Sequence, residues 1–288
     1  MKIRAPAKIN LGLRVTGKRK DGYHLIDSIL APISLWDEVE IRRRPVAGRK
    51  ARPRRQISVS CVPPIAPRGR RNIAYRAAEL LLSEARVDAS IVIRIRKRIP
   101  VGAGLGGGSS DAAAALIGLN RLLRLGWTRR RLARLAVRLG ADVPFFVYGR
   151  TARARGIGER LTPVSGLRRL WLVVLYPGFP VATSWAYRNA PVKLTKPIAN
   201  TSITSRLRSL KGLPEILVND LEAVTLARYP RIRRLKESLA QQGAVLALMS
   251  GSGSSVFGVF TSRQKAAQAF ARLRKEEGVH AFLAHTLR

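Results

Sequence analysis

One cysteine, Cys61, stands in a sequence of 288 residues. A lone thiol rules out an intramolecular disulfide and any cysteine-based metal cluster. Long apolar runs are missing too: none reaches the length of a membrane span, and the opening "MKIRAPAKIN" lacks the apolar core of a signal peptide. These absences together predict a cytoplasmic protein with no membrane partner. Acidic residues are few, 17 against 54 lysines and arginines, for a formal net charge of +37. Apolar residues are not scarce. At 46% of the chain they suffice for a substantial core, in one large domain or two ordinary ones, and they argue against global disorder.

A surface this basic attracts phosphates of any kind, nucleic acid included, without specificity. Most of the basic residues are arginines scattered along helix faces and loops, with one dense run at Arg42–Arg55, "RRRPVAGRKARPRR". The run lies between the strand-like pieces "VEI" and "QISVSC" and reads as a long, exposed hairpin arm. It is either a solvated arm or a secondary RNA or DNA contact. Aromatics interleaved with the basic residues, the mark of single-strand binding, are missing from it.

Along the chain, "KINLGLRV" alternates. Ile9, Leu11, Leu13 and Val15 face one way and Lys8, Asn10, Gly12 and Arg14 the other, which predicts a half-buried strand with Lys8 and Asn10 on its polar face. "GKRKDGYH" is a turn broken at Asp21-Gly22. Asn72–Ala85 has helical composition and Ser90–Ile99 alternates as a strand. A helix follows from about Ser109 to Leu123. "TRRRLARLAVRLG" is a second helix, N-capped by Thr128, with Leu132, Leu135, Ala136 and Leu139 on one face and Gly140 as its stop. "VPFFVYG" reads as a short buried strand, which sets Asp142 at the junction before it.

Further on, Leu170–Pro177 is a buried strand and "VATSWAYRNA" opens a helix. Residues 191–212 are polar and loop-like with one short helix. Helices are expected at Leu217–Arg228, Arg231–Gln242 and Arg263–Glu277. Two strands flank the "SGSGSS" turn, and a last strand, "HAFLAHTL", closes the chain. Strands and helices segregate rather than alternate strictly. This predicts an α+β protein of two layered domains, 1–160 and 161–288.

The densest signal is "PVGAGLGGGSSDAAAAL", Pro100 to Leu116: five glycines in eleven residues, then a helix start. Glycine loses the most entropy on ordering, so such a cluster needs a reason. One reading is a phosphate cradle, in which unpaired N–H groups and the positive end of a helix dipole face an anion. The other is a flexible linker. Ser109, Ser110 and Asp111 then either cap the helix or reach a phosphate or its metal. The stretch lacks the Gly-Lys-Ser/Thr of a P-loop, and Arg124 and its neighbours stand where a dinucleotide fold would place an acid. A nucleotide triphosphate fits better than a dinucleotide.

That stretch resembles the phosphate-binding motif of the GHMP small-molecule kinases, and "APAKINLGLRVTGKRKDGYH", "LGADVPFF" and "SGSGSSVFG" extend the resemblance in order from Ala5 to about Phe260. The resemblance implies a two-domain fold, with an N-terminal ATP-binding domain, a C-terminal ferredoxin-like layered domain and an active site in the cleft between them. It implies an ATP-dependent phosphotransferase acting on an alcohol, a small-molecule acceptor. Taken together, the opening segment, "LGADVPFF" and "SGSGSSVFG" resemble the members whose acceptor is a cytidine-diphosphate-linked methylerythritol.

By the same resemblance Lys8 and Asp142 are catalytic, with Asp142 accepting or orienting the hydroxyl proton and Lys8 neutralising charge. Pro100, Val101, Gly102, Ala103, Gly104, Leu105, Gly106, Gly107, Gly108, Ser109 and Ser110 hold ATP, and Asn72 lies near the adenine, although Arg71 stands where the family often has aspartate. Tyr23 would stack on the cytosine, His24 would hydrogen-bond it and Tyr187 would stack on its other face. Asn10 and Thr183 would contact the sugar-like part or its diphosphate, and "SGSGSS" helps close the site. Mg²⁺ accompanies ATP, held mainly by phosphates, water and a hydroxyl such as Ser110. Two alternatives stay open: a GHMP kinase of homoserine or mevalonate type, and a basic nucleic-acid-binding protein. Either a monomer or a homodimer is compatible with the sequence.

Overall fold

The computed structural model describes residues 1–44, 55–190, 210 and 217–287. The basic run of the sequence lies largely outside them, as does most of the polar stretch after residue 190. The chain forms two compact units that interleave along the sequence. One comprises Met1–Ala7, Trp36–Val101 and Gly106–Gly149, the other Lys8–Leu35, Gly102–Leu105 and Arg150–Arg288. Two long strands, β1 (Lys2–Lys18) and β2 (His24–Arg43), contribute residues to both.

In the first unit, the end of β2 pairs antiparallel with β4 (Ser90–Arg96), and β4 pairs parallel with β3 (Gln56–Val62). The period-two pattern of β4 puts Ile91, Ile93 and Ile95 in the core and leaves Arg94 and Arg96 exposed. The expected hairpin arm is corrected here. β2 and β3 flank β4 instead of pairing with each other, because the parallel partner of β3 needs a crossover. That crossover is α1 (Ile73–Glu84), which packs on α2 (Gly107–Leu122). The alanine run of α2, Ala112–Ala115, is buried. Gly118 lets the helix approach the strands closely, since a Cβ there would lie 2.3 Å from Ile41 Cδ1.

Helix α3 (Arg129–Val137) starts as predicted, with the Thr128 hydroxyl accepting from Arg131 N, and it buries Leu132, Leu135 and Ala136. Gly140 is not its stop. The helix ends earlier, tightening through i→i−3 bonds from Arg138 N to Leu135 O and from Leu139 N to Ala136 O. "VPFFVY" is a helix, α4 (Val143–Tyr148), rather than a strand. Its β-favouring residues mislead because all of Val143–Val147 is buried, so no polar stripe reveals a helical period. Pro144 suits its first turn and Gly149, at φ +68°, ends it.

In the second unit the beginning of β2 pairs with β5 (Ala152–Gly156), and β5 with β6 (Arg160–Pro163). A separate antiparallel sheet has the order β10 (His280–His285), β7 (Trp171–Tyr176), β9 (Val256–Phe260), β8 (Leu246–Met249). Numbered along the chain that is 4-1-3-2, the ferredoxin-like arrangement expected. Helices α5 (Thr183–Asn189), α6 (Glu222–Arg228), α7 (Pro230–Gln241) and α8 (Arg263–Leu273) belong to this unit. Ile232, Leu235 and Leu239 of α7 pack with Val173 of β7, Phe260 of β9 and Leu13 of β1 in one core. No described helix is long and apolar enough to cross a membrane.

Candidate active site

The glycine-rich stretch is not a linker. Gly102, Gly104 and Gly106 all sit in the left-handed backbone region, at φ +68°, +76° and +69°, which turns the chain sharply before α2. Packing makes separate demands on the glycines. In the second unit, a Cβ on Gly104 would lie 2.0 Å from Ser250 O. In the first, a Cβ on Gly107 would lie 2.9 Å from Ile99 Cγ2 and 3.3 Å from Lys97 Nζ. Gly108 is exposed, and its nearest neighbour would be Ile73 Cγ2 at an ordinary 3.6 Å. Packing does not require it, so its bare backbone is free for close approach of a ligand.

Gly106 is the N-cap of α2, and no side chain caps the first turn. The expectation that Ser109, Ser110 or Asp111 caps it is therefore corrected. A glycine holds the cap position and Asp111, deeper in the helix, turns inward. The amides of the first turn and the dipole end are thus left to an anion. Ser110 Oγ is buried with no hydrogen-bond partner among the described residues.

Beneath this turn lies an ion triad that sequence reasoning missed. Lys97 Nζ donates to Asp37 Oδ2 at 2.5 Å and to Asp111 Oδ2 at 2.8 Å, with all three side chains at most 5% exposed. Burial raises the Asp111 carboxyl from 3.8 to about 7, despite the opposing pull of Lys97. The pair of carboxylates in turn raises Lys97 against the effect of its own burial. Nothing local in "LWDEV" or "IRKRIP" separates these residues from surface charges, because the contacts span 60 and 14 positions.

Asn72 is the N-cap of α1. Its Oδ1 accepts from Ala74 N at 2.9 Å, and its Nδ2 donates to Pro67 O at 3.0 Å and reaches Cys61 Sγ at 3.6 Å. Both ends of the amide are therefore engaged. Burial pushes the Cys61 thiol up, so it stays protonated. Asp142 is half-buried at the N-cap of α4 and makes no side-chain cap bond there.

In the second unit the polar face of β1 is buried, which corrects the half-exposed strand. Lys8 is 5% exposed and Asn10 3%. Lys8 Nζ donates to Asn10 Oδ1 at 2.5 Å, Asn10 Nδ2 to Ser28 Oγ at 2.8 Å, and Ser28 Oγ to Gly12 O at 2.6 Å. Against them lies the serine-glycine turn between β8 and β9. Asn10 N donates to Ser250 Oγ at 3.3 Å, and a Cβ on Gly251 would be 3.2 Å from both Lys8 Nζ and Asn10 Oδ1. Ser250 Oγ donates to Gly104 O, and Lys8 N to Leu105 O, so the glycine stretch meets the same turn. Asn219, also missed, braces the turn through bonds from Nδ2 to Met249 O and Gly251 O, both 2.8 Å. Its only local hint is a polar Asn-Asp pair inside the apolar "ILVNDLEAV".

The predicted base-binding residues are also of this unit. His24 stacks on Tyr187 with ring centroids 5.4 Å apart, and burial, then the Lys18 charge, lowers the His24 pKa and so favours the neutral ring. Tyr23 beside it is 60% exposed. Thr183, one turn before Tyr187 on α5, shares a 3.0 Å hydrogen bond with Ser252 of the turn.

The model of the GHMP kinases N terminal domain matches residues 72–150, and that of GHMP kinases C terminal matches 205–280. A 4-diphosphocytidyl-2-C-methyl-D-erythritol kinase of Citrifermentans bemidjiense is 46% identical over 287 residues, covering 100% of this chain and 99% of its own. The chain belongs to the 4-diphosphocytidyl-2-C-methyl-D-erythritol kinases of the GHMP family. A second such relative, from a Geobacter species, is 45% identical over the same span. A solved 4-(cytidine 5'-diphospho)-2C-methyl-D-erythritol kinase covers the whole chain at 37% identity and a TM-score of 0.84. Homoserine kinase from Cytophaga hutchinsonii shares the fold, at TM-score 0.76 and 19% identity. As a GHMP kinase, the protein is an ATP-dependent phosphotransferase.

Proposed function

We propose that this kinase transfers the γ-phosphoryl group of ATP to the 2-hydroxyl of 4-diphosphocytidyl-2-C-methyl-D-erythritol, a step of isopentenyl diphosphate synthesis. The Lys8 site carries the reading. An ammonium buried to 5% exposure, fixed by Asn10 and bordered by the bare backbone of Gly251, is prepared for anionic charge. Phosphoryl transfer asks a protein mainly for alignment and charge neutralisation. In this reading Lys8 neutralises the charge gathering on the transferred group, and Asp142 orients the acceptor hydroxyl or takes its proton. His24, Tyr187 and the exposed Tyr23 hold the cytosine, while Thr183 and Asn10 meet the diphosphate side. The amides from Gly106 to Ser109 hold the triphosphate, since the Ser110 amide already donates to Gly106 O.

The residues present fit Mg²⁺ entering with ATP. Among the described residues no three His, Cys, Asp or Glu gather to form a dedicated metal cage, and Ser110 Oγ is one of the buried side-chain atoms with no hydrogen-bond partner there. Ser110 would hold the ion, which supplies charge neutralisation between phosphate oxygens. A cytoplasmic enzyme, monomeric or homodimeric, fits this reading.

The test is phosphorylation followed by ³¹P NMR with the cytidine-bearing acceptor, homoserine and mevalonate offered separately. Efficient turnover is expected only with the first, and Asp142→Asn should fold normally yet lose nearly all of it. Ordinary rates in Asp142→Asn, or preference for another alcohol, overturn the proposal. The charge of +37 favours one second reading, nucleic-acid binding. It requires tight, steeply salt-dependent RNA binding that survives Asp142→Asn.

A further inference from the structure

The two ends of the glycine loop are joined by a chain of buried hydrogen bonds. On the incoming side, Asp37 Oδ1 accepts from the backbone N–H groups of Arg98 (2.6 Å) and Ile99 (2.9 Å), the last residues before Pro100. Its other oxygen accepts from Lys97 Nζ, which donates again to Asp111, in the second turn of the helix that leaves the loop. Lys97 N also donates to Val62 O at the end of β3. Gly107 has no side chain where one would crowd the ammonium at 3.3 Å. An apolar cluster of similar volume would stabilise such a spot as well or better, since burying three charges is costly. An ion triad adds fixed distances and directions.

We propose that Lys97 is a positioning residue for the phosphate loop, clamping its incoming strand to α2 through Asp37 and Asp111 so that the first-turn amides face a triphosphate in one register. The inference rests on the kinase reading for its ligand but not for its geometry. A loop whose ends drift by an ångström misaligns every amide it offers. Asp37 is the discriminating member. It holds backbone N–H groups and Lys97, and the clamp reaches ATP from it only through the loop.

The experiment compares wild type, Lys97→Met and Asp37→Asn by amide hydrogen exchange without nucleotide, by affinity for a non-hydrolysable ATP analogue, and by separate KM values for ATP and acceptor. In Lys97→Met, exchange across residues 101–110 should quicken about tenfold while β7 and β9 stay unchanged, and the ATP constants should weaken about tenfold with the acceptor KM within about twofold. Asp37→Asn should move the same quantities in the same direction. If Lys97→Met weakens ATP while Asp37→Asn leaves loop exchange and ATP affinity at wild-type values, Lys97 acts by direct contact and the clamp is wrong. Equal loss of ATP and acceptor constants, with faster exchange throughout, marks a purely structural role and also overturns it. Should Lys97→Met not fold, Asp37→Asn decides alone. Failure of wild type to bind the analogue sinks the kinase reading instead, and the exchange arm still judges the clamp.

Discussion

Replacing Asp111 by Asn should alter how stability depends on pH, and the sign follows from the raised carboxyl. In the unfolded chain the group titrates near its ordinary 3.8, and in the folded protein at about 7, chiefly because it is buried. Between these values the folded state binds the proton that the unfolded state has released, so unfolding free energy falls as pH rises. The loss is steepest between about pH 4 and 7, at most ~1.4 kcal/mol per unit, and sums to about 4 kcal/mol. Asparagine mimics the protonated acid and can still accept from Lys97. Asp111→Asn should therefore match wild type near pH 4 and exceed its stability progressively up to about pH 8. Urea unfolding followed by circular dichroism, in metal-free buffer and at fixed ionic strength, measures both proteins across that range. Taking the difference cancels the self-repulsion of a chain with charge +37. A difference that stays flat, or that favours wild type as pH rises, would mean that the attraction of Lys97 outweighs burial and that Asp111 is ionised throughout.

Two glycines of the same motif, Gly104 in the loop and Gly108 in the first turn of α2, should respond differently to alanine. Gly104→Ala forces a side chain into left-handed backbone and onto Ser250 O, and should cost more than ~3 kcal/mol in denaturant unfolding. Gly108→Ala meets only ordinary contact and should leave stability within ~0.5 kcal/mol while raising the KM for ATP. Arg153→Met breaks a buried two-bond pair with Asp27, at 2.7 and 2.6 Å, and should lower stability by about 3–5 kcal/mol, read as an earlier urea midpoint. Thr128→Ala removes the α3 cap bond and should cost about 1 kcal/mol without changing turnover.

Much of the fold is legible where local rules decide. The alternation of "SIVIRIR", the cap at Thr128 and the glycine cluster each fix one element through spacing that neighbours in sequence reveal. Legibility fails where distant packing decides. "VPFFVY" turns helical because it is buried on every side, and the polar face of β1 is covered although nothing in "KINLGLRV" says so. The candidate site divides the same way. Lys8, Asn10 and the glycine turn stand out by motif, as do His24 and Tyr187. Lys97, Asp37 and Asn219 do not, since each acquires its role from partners 14 to 60 residues away. A lysine in a basic protein is silent until its neighbours are known.

The interleaving of the two units sets a limit on dissecting this enzyme. The segment Lys8–Leu35 donates Leu13 and Val15 to the core of the later unit, and Leu13 bridges to Asn219 and Ile33 to Thr286. A gene cut near codon 160 would hand the downstream fragment a core with missing walls and the upstream fragment a ribbon with nothing to lie on. Expression of either half alone should yield insoluble product, and co-expression of the two is the natural route to a split version of the protein.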